Sequence, residues 1–181
     1  MPPLLAVAHR SLTLDELIRR ARLGDAVGIG GLYDRYVAEL YRAAFRVTAS
    51  RADAEDVVHD LFVGLPHALA RYQDQGHLDA WLRRMTIRLA LMRLRGERRR
   101  HLAPATEACE VAASGRTDAR VELSELQQTV LALPDGLRVV LVLKQVHGYS
   151  HDEIGGMLGI SAGASRVRLS RALETLRRSL R

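Results

Sequence analysis

Cysteine occurs once in these 181 residues, at Cys109, so neither an internal disulfide nor a cluster of thiolate metal ligands can form. Aromatic residues are nearly as scarce, at 4% of the chain, with a single tryptophan and two phenylalanines. Sheets draw on aromatic and β-branched side chains, whereas the Leu and Ala that abound here suit packed helices. No apolar run approaches the ~20 residues that a membrane span needs. The opening MPPLLAVAHR has no positive charge ahead of its short apolar stretch, so it does not read as a secretory signal, and the expected compartment is the cytoplasm. Lysine is almost missing: Lys144 stands alone, leaving 26 of the 27 cationic residues as arginine. The formal charge of +6 and pI near 10.2 call for an anionic partner, either nucleic acid or a membrane surface. Arginine favours bidentate phosphate contacts, although a GC-rich genome produces the same bias.

What is present is helical periodicity. The expected fold is all-α, with two small helical domains over residues 12–100 and 121–181 and a linker over 101–120. Thr13 and Glu16 form a capping box ahead of a first helix that stops near Gly24. A second helix is expected from about Asp25 to Val47, with Leu32, Tyr36, Leu40 and Ala44 at helical spacing. Ser50 and Asp53 form another capping pair and open a third helix. Pro66 lies inside it, and a mid-helix proline costs about 3 kcal/mol, which predicts a kink or break near Leu65. A fourth helix runs from near Asp79 to about Arg95. The stretch HLAPATEACEVAASGRTDAR lacks periodicity and holds Pro104 and Gly115, as a linker does.

The sharpest local signal is YSHDEIGGMLGISAGASRVRLSRALETLRR, residues 149–178. Ser150 and Glu153 cap a short helix, Gly159 ends it, and Ser161 caps a longer basic one. That is the helix-turn-helix pattern. At about 100° per residue, Leu169, Ala172, Leu173 and Leu176 share the core side of the second helix. Val167, Ser170, Arg171 and Glu174 lie opposite, flanked by Arg166 and Arg168. Such a face suits a major groove, where Arg pairs with guanine edges or phosphates and small side chains make closer contacts.

The same geometry sorts the N-terminal block. On the third helix Asp53, Asp56 and Asp60 fall within an arc of about 60°, with Ala54, Val57, Leu61 and Leu65 on the other side. An acidic stripe on a basic protein is not a DNA contact. On the fourth helix Leu82, Met85, Leu89 and Met92 make one apolar side and Ile87, Leu91 and Leu94 another. Between them runs a strip of Arg84, Arg88 and Arg95. Apolar residues on two sides mean a helix wedged between neighbours, with the cationic strip turned towards a polyanion.

These motifs together resemble the extracytoplasmic-function (ECF) sigma factors of bacterial RNA polymerase. In the C-terminal block the resemblance rests on Leu133-Pro134, Gly148, Ser150, Glu153-Ile154, Leu158-Gly159-Ile160-Ser161, Gly163, Arg168-Leu169 and Arg171-Ala172. In the N-terminal block it rests on RADAEDVVHDLFVGLPHALARY (residues 51–72) and on Trp81, Leu82, Arg84, Leu89-Ala90-Leu91, Leu94 and Arg95. Departures fall at Gly155-Gly156, Ala164, Ser165 and Val167, and at Pro66, Arg88 and Met92. Ser165 replaces a buried Val, which predicts loose packing at the start of the last helix.

The resemblance implies a protein that binds core RNA polymerase and directs it to promoter DNA, often masked by an anti-sigma factor. It implies that Asp53, Asp56 and Asp60 face polymerase, and that Arg84, Arg88 and Arg95 contact the −10 element. The loop Asp74-Gln75-Gly76-His77-Leu78, with Asp74, Gln75 and His77 as contacts, would hold a flipped −10 base. Arg166, Val167, Arg168, Ser170 and Arg171 would read the −35 element. Catalytic residues, a cofactor, a metal, a small-molecule substrate and a membrane partner are not expected. Gly28, Gly30 and Gly31 lack the preceding strand and following Lys of a phosphate loop, and His147 and His151 have no third metal ligand nearby. Two other readings stay open: a dimeric DNA-binding regulator, and an inactive sigma-like interaction protein.

Overall fold

The computed structural model describes residues 12–73, 76–102 and 124–180, side chains of 97–102 excepted. All regular structure among them is helical. The N-terminal helices are α1 (Leu14–Arg22), α2 (Ala26–Thr48), α3 (Arg51–Leu69) and α4 (Leu78–Leu102). After residues 103–123 come α5 (Glu125–Leu131), α6 (Asp135–Leu141), a π-turn (Val142–Val146), α7 (His151–Leu158) and α8 (Ala162–Ser179). The chain divides into two compact units, Met1–Arg93 and Leu94–Arg181, with the division inside α4. The linker expectation over 101–120, Cys109 included, falls almost wholly outside the described residues.

Local chemistry sets the helix starts. The Thr13 hydroxyl accepts the Glu16 N–H, the Asp25 carboxylate accepts the Val27 N–H at 2.8 Å, and Ser50 accepts the Asp53 N–H at 3.2 Å. Each satisfies one of the donors that a helix leaves unpaired in its first turn. The N-terminal core gathers Leu17, Ile18 and Ala21 of α1, Leu32 and Leu40 of α2, Leu61, Leu65 and Leu69 of α3, and Leu82 of α4. The end of α3 is fastened by Arg22, which donates to the carbonyls of Leu69 (3.2 Å) and Tyr72 (2.8 Å).

Of the kink or break expected near Leu65, the structure removes the break. Pro66 does not break α3 at Leu65: the helix continues to Leu69. Only the last turn lies beyond the proline, so one ladder bond is forgone, and Leu65 and Leu69, both fully buried, hold that turn on the core. Gly28 is no phosphate loop but the point where α2 meets α1. A Cβ there would stand 2.5 Å from the Ala21 nitrogen and 2.6 Å from the Arg20 Cβ, so only glycine admits the approach. Gly28→Ala is expected to cost about 1–3 kcal/mol through forced separation of the two helices. The check is the midpoint of urea unfolding, which should fall; an unchanged midpoint would mean that α1 yields without loss.

Candidate nucleic-acid interface

In the C-terminal unit α7 and α8 make a helix-turn-helix whose corner is built from specific residues. Ser150 and Glu153 cap α7 reciprocally, Gly159 ends it at φ +67°, and Ser161 accepts the Ala164 N–H to start α8. Gly155 lies under the corner: a Cβ there would come 2.7 Å from the Ile160 carbonyl oxygen. The departure from the family pattern at this position thus lets the turn sit closer to α7 than a side chain permits. The expectation of loose packing at Ser165 is overturned. Ser165 is 0% exposed, and its hydroxyl lies 2.9 Å from Nδ1 of His151, in hydrogen-bond contact. A buried hydroxyl with a partner escapes the penalty of an unsatisfied one, and the bond ties α8 to the first residue of α7. His151, which sequence spacing set beside His147, is spent on this tie.

The inner side of α8 packs Ala172 and Leu176, with Leu169 and Leu173 half-buried, against Leu133 and Leu141. Its outer side presents Arg166, Val167, Ser170, Arg171 and Glu174, all exposed, with Val167 at 51%. Arg168 differs. It is half-buried, its guanidinium beside Gly136 of α6, so four of the five expected −35 residues share the open face. Glu174 forms an ion pair with Arg178 one turn on. Beneath, Arg138 is buried and donates to the Leu133 carbonyl at 2.9 Å and to the Asp135 carboxylate at 2.7 Å, closing the end of α5 onto α6.

In the N-terminal unit, α4 is wedged as its periodicity implies. Leu82, Ile87 and Ala90 are fully buried, and Arg84, Arg88 and Arg95 are exposed. Arg95, which lies past the division of α4 and so in the second unit, also donates to the Met157 carbonyl of that unit. Met92, expected on an apolar side, is instead 63% exposed. Trp81 lies against Tyr72, ring centroids 4.8 Å apart, and belongs to the core periphery. Asp74 and Gln75 lie outside the described residues. Gly76 (φ +74°) and exposed His77 follow, and buried Leu78 anchors the loop to the core.

The acidic stripe is narrower than its spacing implies. Asp53 is only 7% exposed, and its carboxylate accepts from Arg93 Nε of α4 at 2.8 Å. Arg93 reaches Asp56 as well. The hydrogen bond to Asp53, then the charges of Asp56 and Asp53, hold the Arg93 guanidinium above its ordinary value. Asp60 is exposed on the outer face of α3, as are His59, His67 and Val63, the last at 68%. Arg93 and Arg138 were not singled out from sequence, and His151 and Gly155 were named there without the roles they have here. The Arg93 pair joins residues 40 positions apart, beyond any helical periodicity.

Two compact helical units, one ending in a capped helix-turn-helix with an open arginine face, define a DNA-binding transcription protein. Comparison with known proteins sharpens that class. The family model for sigma-70 region 2 matches residues 32–100, and that for sigma-70 region 4 matches residues 123–176. The ECF RNA polymerase sigma factor SigW of Bacillus subtilis is 27% identical, over 94% of this chain and 98% of its own length. The RNA polymerase sigma factor NccH of Alcaligenes xylosoxydans xylosoxydans is 31% identical, over 91% of this chain and 93% of its own. Among solved structures, CnrH in complex with the cytosolic domain of CnrY is 28% identical, with a TM-score of 0.50 over 91% of this chain and 94% of that one. The sigma factor RpoE from Bartonella quintana, solved with the anti-sigma factor NepR, shares the fold at 20% identity and a TM-score of 0.54, over 82% of this chain and 93% of that one. The chain belongs to the sigma-70 family, in its ECF group: it binds core RNA polymerase and directs promoter-specific initiation of transcription.

Proposed function

We propose a division of labour among named side chains. Arg166, Val167, Ser170 and Arg171 read the −35 element, with Arg168 supporting from the flank. Arg84 and Arg88 hold the −10 strand, Arg95 joins them, and Asp74, Gln75 and His77 line the loop that receives a flipped base. Asp60 and Asp56 meet polymerase together with Val63, while Asp53 stays on Arg93 and positions α3 on α4. The observation that carries this reading is the presence of two exposed arginine faces, on α4 and α8, and an exposed acidic face with an apolar centre on α3. An apolar residue ringed by polar groups is the usual anchor of a protein interface, and clustered Arg is the usual footprint of DNA.

The remaining assignments follow the same reading. The domains are taken as 12–100 and 121–181, the chain works in the cytoplasm, and the chemistry of RNA synthesis stays with polymerase. Among the described residues no helix is long and apolar enough to cross a membrane. An anti-sigma protein is proposed as a second partner, as the anti-sigma factor NepR is for RpoE of Bartonella quintana.

The test of the polymerase face is a double variant, Asp60→Arg with Val63→Glu. Both side chains are exposed and outside the Arg93 pair, so folding should be untouched. Affinity for core polymerase is expected to fall at least about tenfold, from loss of an apolar anchor and reversal of a charge. Unchanged affinity, by fluorescence anisotropy of the labelled protein, would remove α3 from the interface.

A further inference from the structure

The arginine strip of α4 holds one side chain that does not fit a purely electrostatic surface. Met92 is 63% exposed, whereas Leu82, Ile87, Ala90 and Leu91 of the same helix are buried. Taking 100° per residue, Arg84, Arg88, Met92 and Arg95 fall within an arc of about 80°. The thioether thus stands one turn beyond Arg88, on the surface that the proposed reading gives to the −10 strand. A single exposed apolar side chain is unremarkable on most surfaces; among cations that grip phosphates it is placed where base edges come within reach.

We propose that Met92 determines base preference at one −10 position and favours thymine through its 5-methyl group. The reasoning rests on the assignment of the arginine strip to the −10 element. Arginines on phosphates fix register but carry no sequence information. Methionine has no donor and only a weak acceptor, so it rewards the amino group of adenine or cytosine little and the acceptor edge of guanine not at all. What it can reward is apolar contact, and thymine alone carries a methyl group on its exposed edge. The flexible, polarizable side chain adapts to that contact without a preformed pocket. Burial of one methyl group corresponds to a preference of about three- to fourfold.

The test uses holoenzyme assembled from the full chain and core polymerase, on a promoter library randomised across the −10 segment. Thymine is expected to be enriched at one position for the wild type. Deoxyuridine there, which lacks only the methyl group, should slow open-complex formation about three- to fourfold. Met92→Ala should abolish the thymine–deoxyuridine difference at that position and leave the others as they were. Met92→Gln, of similar length, should move the enrichment to adenine, which an amide can bond bidentately. No position with a thymine–deoxyuridine difference, or a difference that survives Met92→Ala, overturns the inference. So does a variant that weakens every sequence equally, because that marks a non-selective wedge. The strip itself is judged separately: if Arg84→Ala with Arg88→Ala leaves promoter opening intact, the −10 assignment fails, whereas a defect there with no methyl effect removes only Met92.

Discussion

Promoter-directed transcription is expected to fall about 100-fold when Arg166 and Arg171 are both replaced by alanine. Each side chain is exposed on the outer side of α8, and a well-placed Arg–guanine or Arg–phosphate contact is worth about 1–3 kcal/mol. Alanine preserves the helix, and both residues are exposed rather than part of the Leu133, Leu141, Ala172 and Leu176 core, so the loss is one of recognition. Run-off transcription from a promoter with both elements measures it, and affinity for core polymerase should stay at the wild-type level as the internal control. A loss smaller than about threefold would mean that α8 does not face the −35 element. The half-buried Arg168 makes a useful contrast: its replacement by alanine disturbs packing beside Gly136 and should register in stability as well as in transcription.

The second large effect concerns Arg93. Its replacement by alanine leaves the Asp53 carboxylate with a side-chain exposure of 10% and without its guanidinium partner. Removing one member of a fully buried pair costs about 3–5 kcal/mol. Arg93 itself is 36% exposed, so solvent screening reduces the expected loss to about 2 kcal/mol. Asp53→Asn should recover part of it, because the uncompensated charge is then gone. Urea unfolding of wild type, Arg93→Ala and the Arg93→Ala/Asp53→Asn double variant makes the comparison. Equal stability of all three would show that the pair holds nothing. The result also bears on function, since α3 carries the acidic face and α4 the arginine strip, and Arg93 sets one against the other.

Elements whose cause is local could be read directly from the residues. Thr13, Ser50, Ser150 and Ser161 each announce a helix start by a hydroxyl that accepts an amide within three residues, and Gly159 announces a helix end by the left-handed backbone that glycine adopts without strain. The core and outer sides of α8 follow from a single rotation angle per residue. What could not be read depends on contacts between segments distant in sequence. Asp53 looks like a surface acid from its spacing with Asp56 and Asp60, and becomes a buried partner only because Arg93 arrives from another helix. Ser165 looks like a hole in the packing until His151 is seen beside it. Gly28 and Gly155 carry no local signature at all: each is required by the backbone of a neighbouring element passing within 3 Å of where a Cβ would be. Met92 obeys the apolar period of its helix yet is 63% exposed, while Leu82 and Leu91 of the same helix are buried; periodicity alone does not separate them.

Mapping of transcript starts is the most direct measurement of the central claim, that this chain places polymerase by gripping DNA with two separate arginine faces. Purified protein is added to core polymerase with genomic promoter fragments, and the starts are sequenced. Starts clustered downstream of a shared two-element sequence, lost in the Arg166→Ala/Arg171→Ala variant, are the predicted result. Transcription no higher than that of core polymerase alone would contradict it.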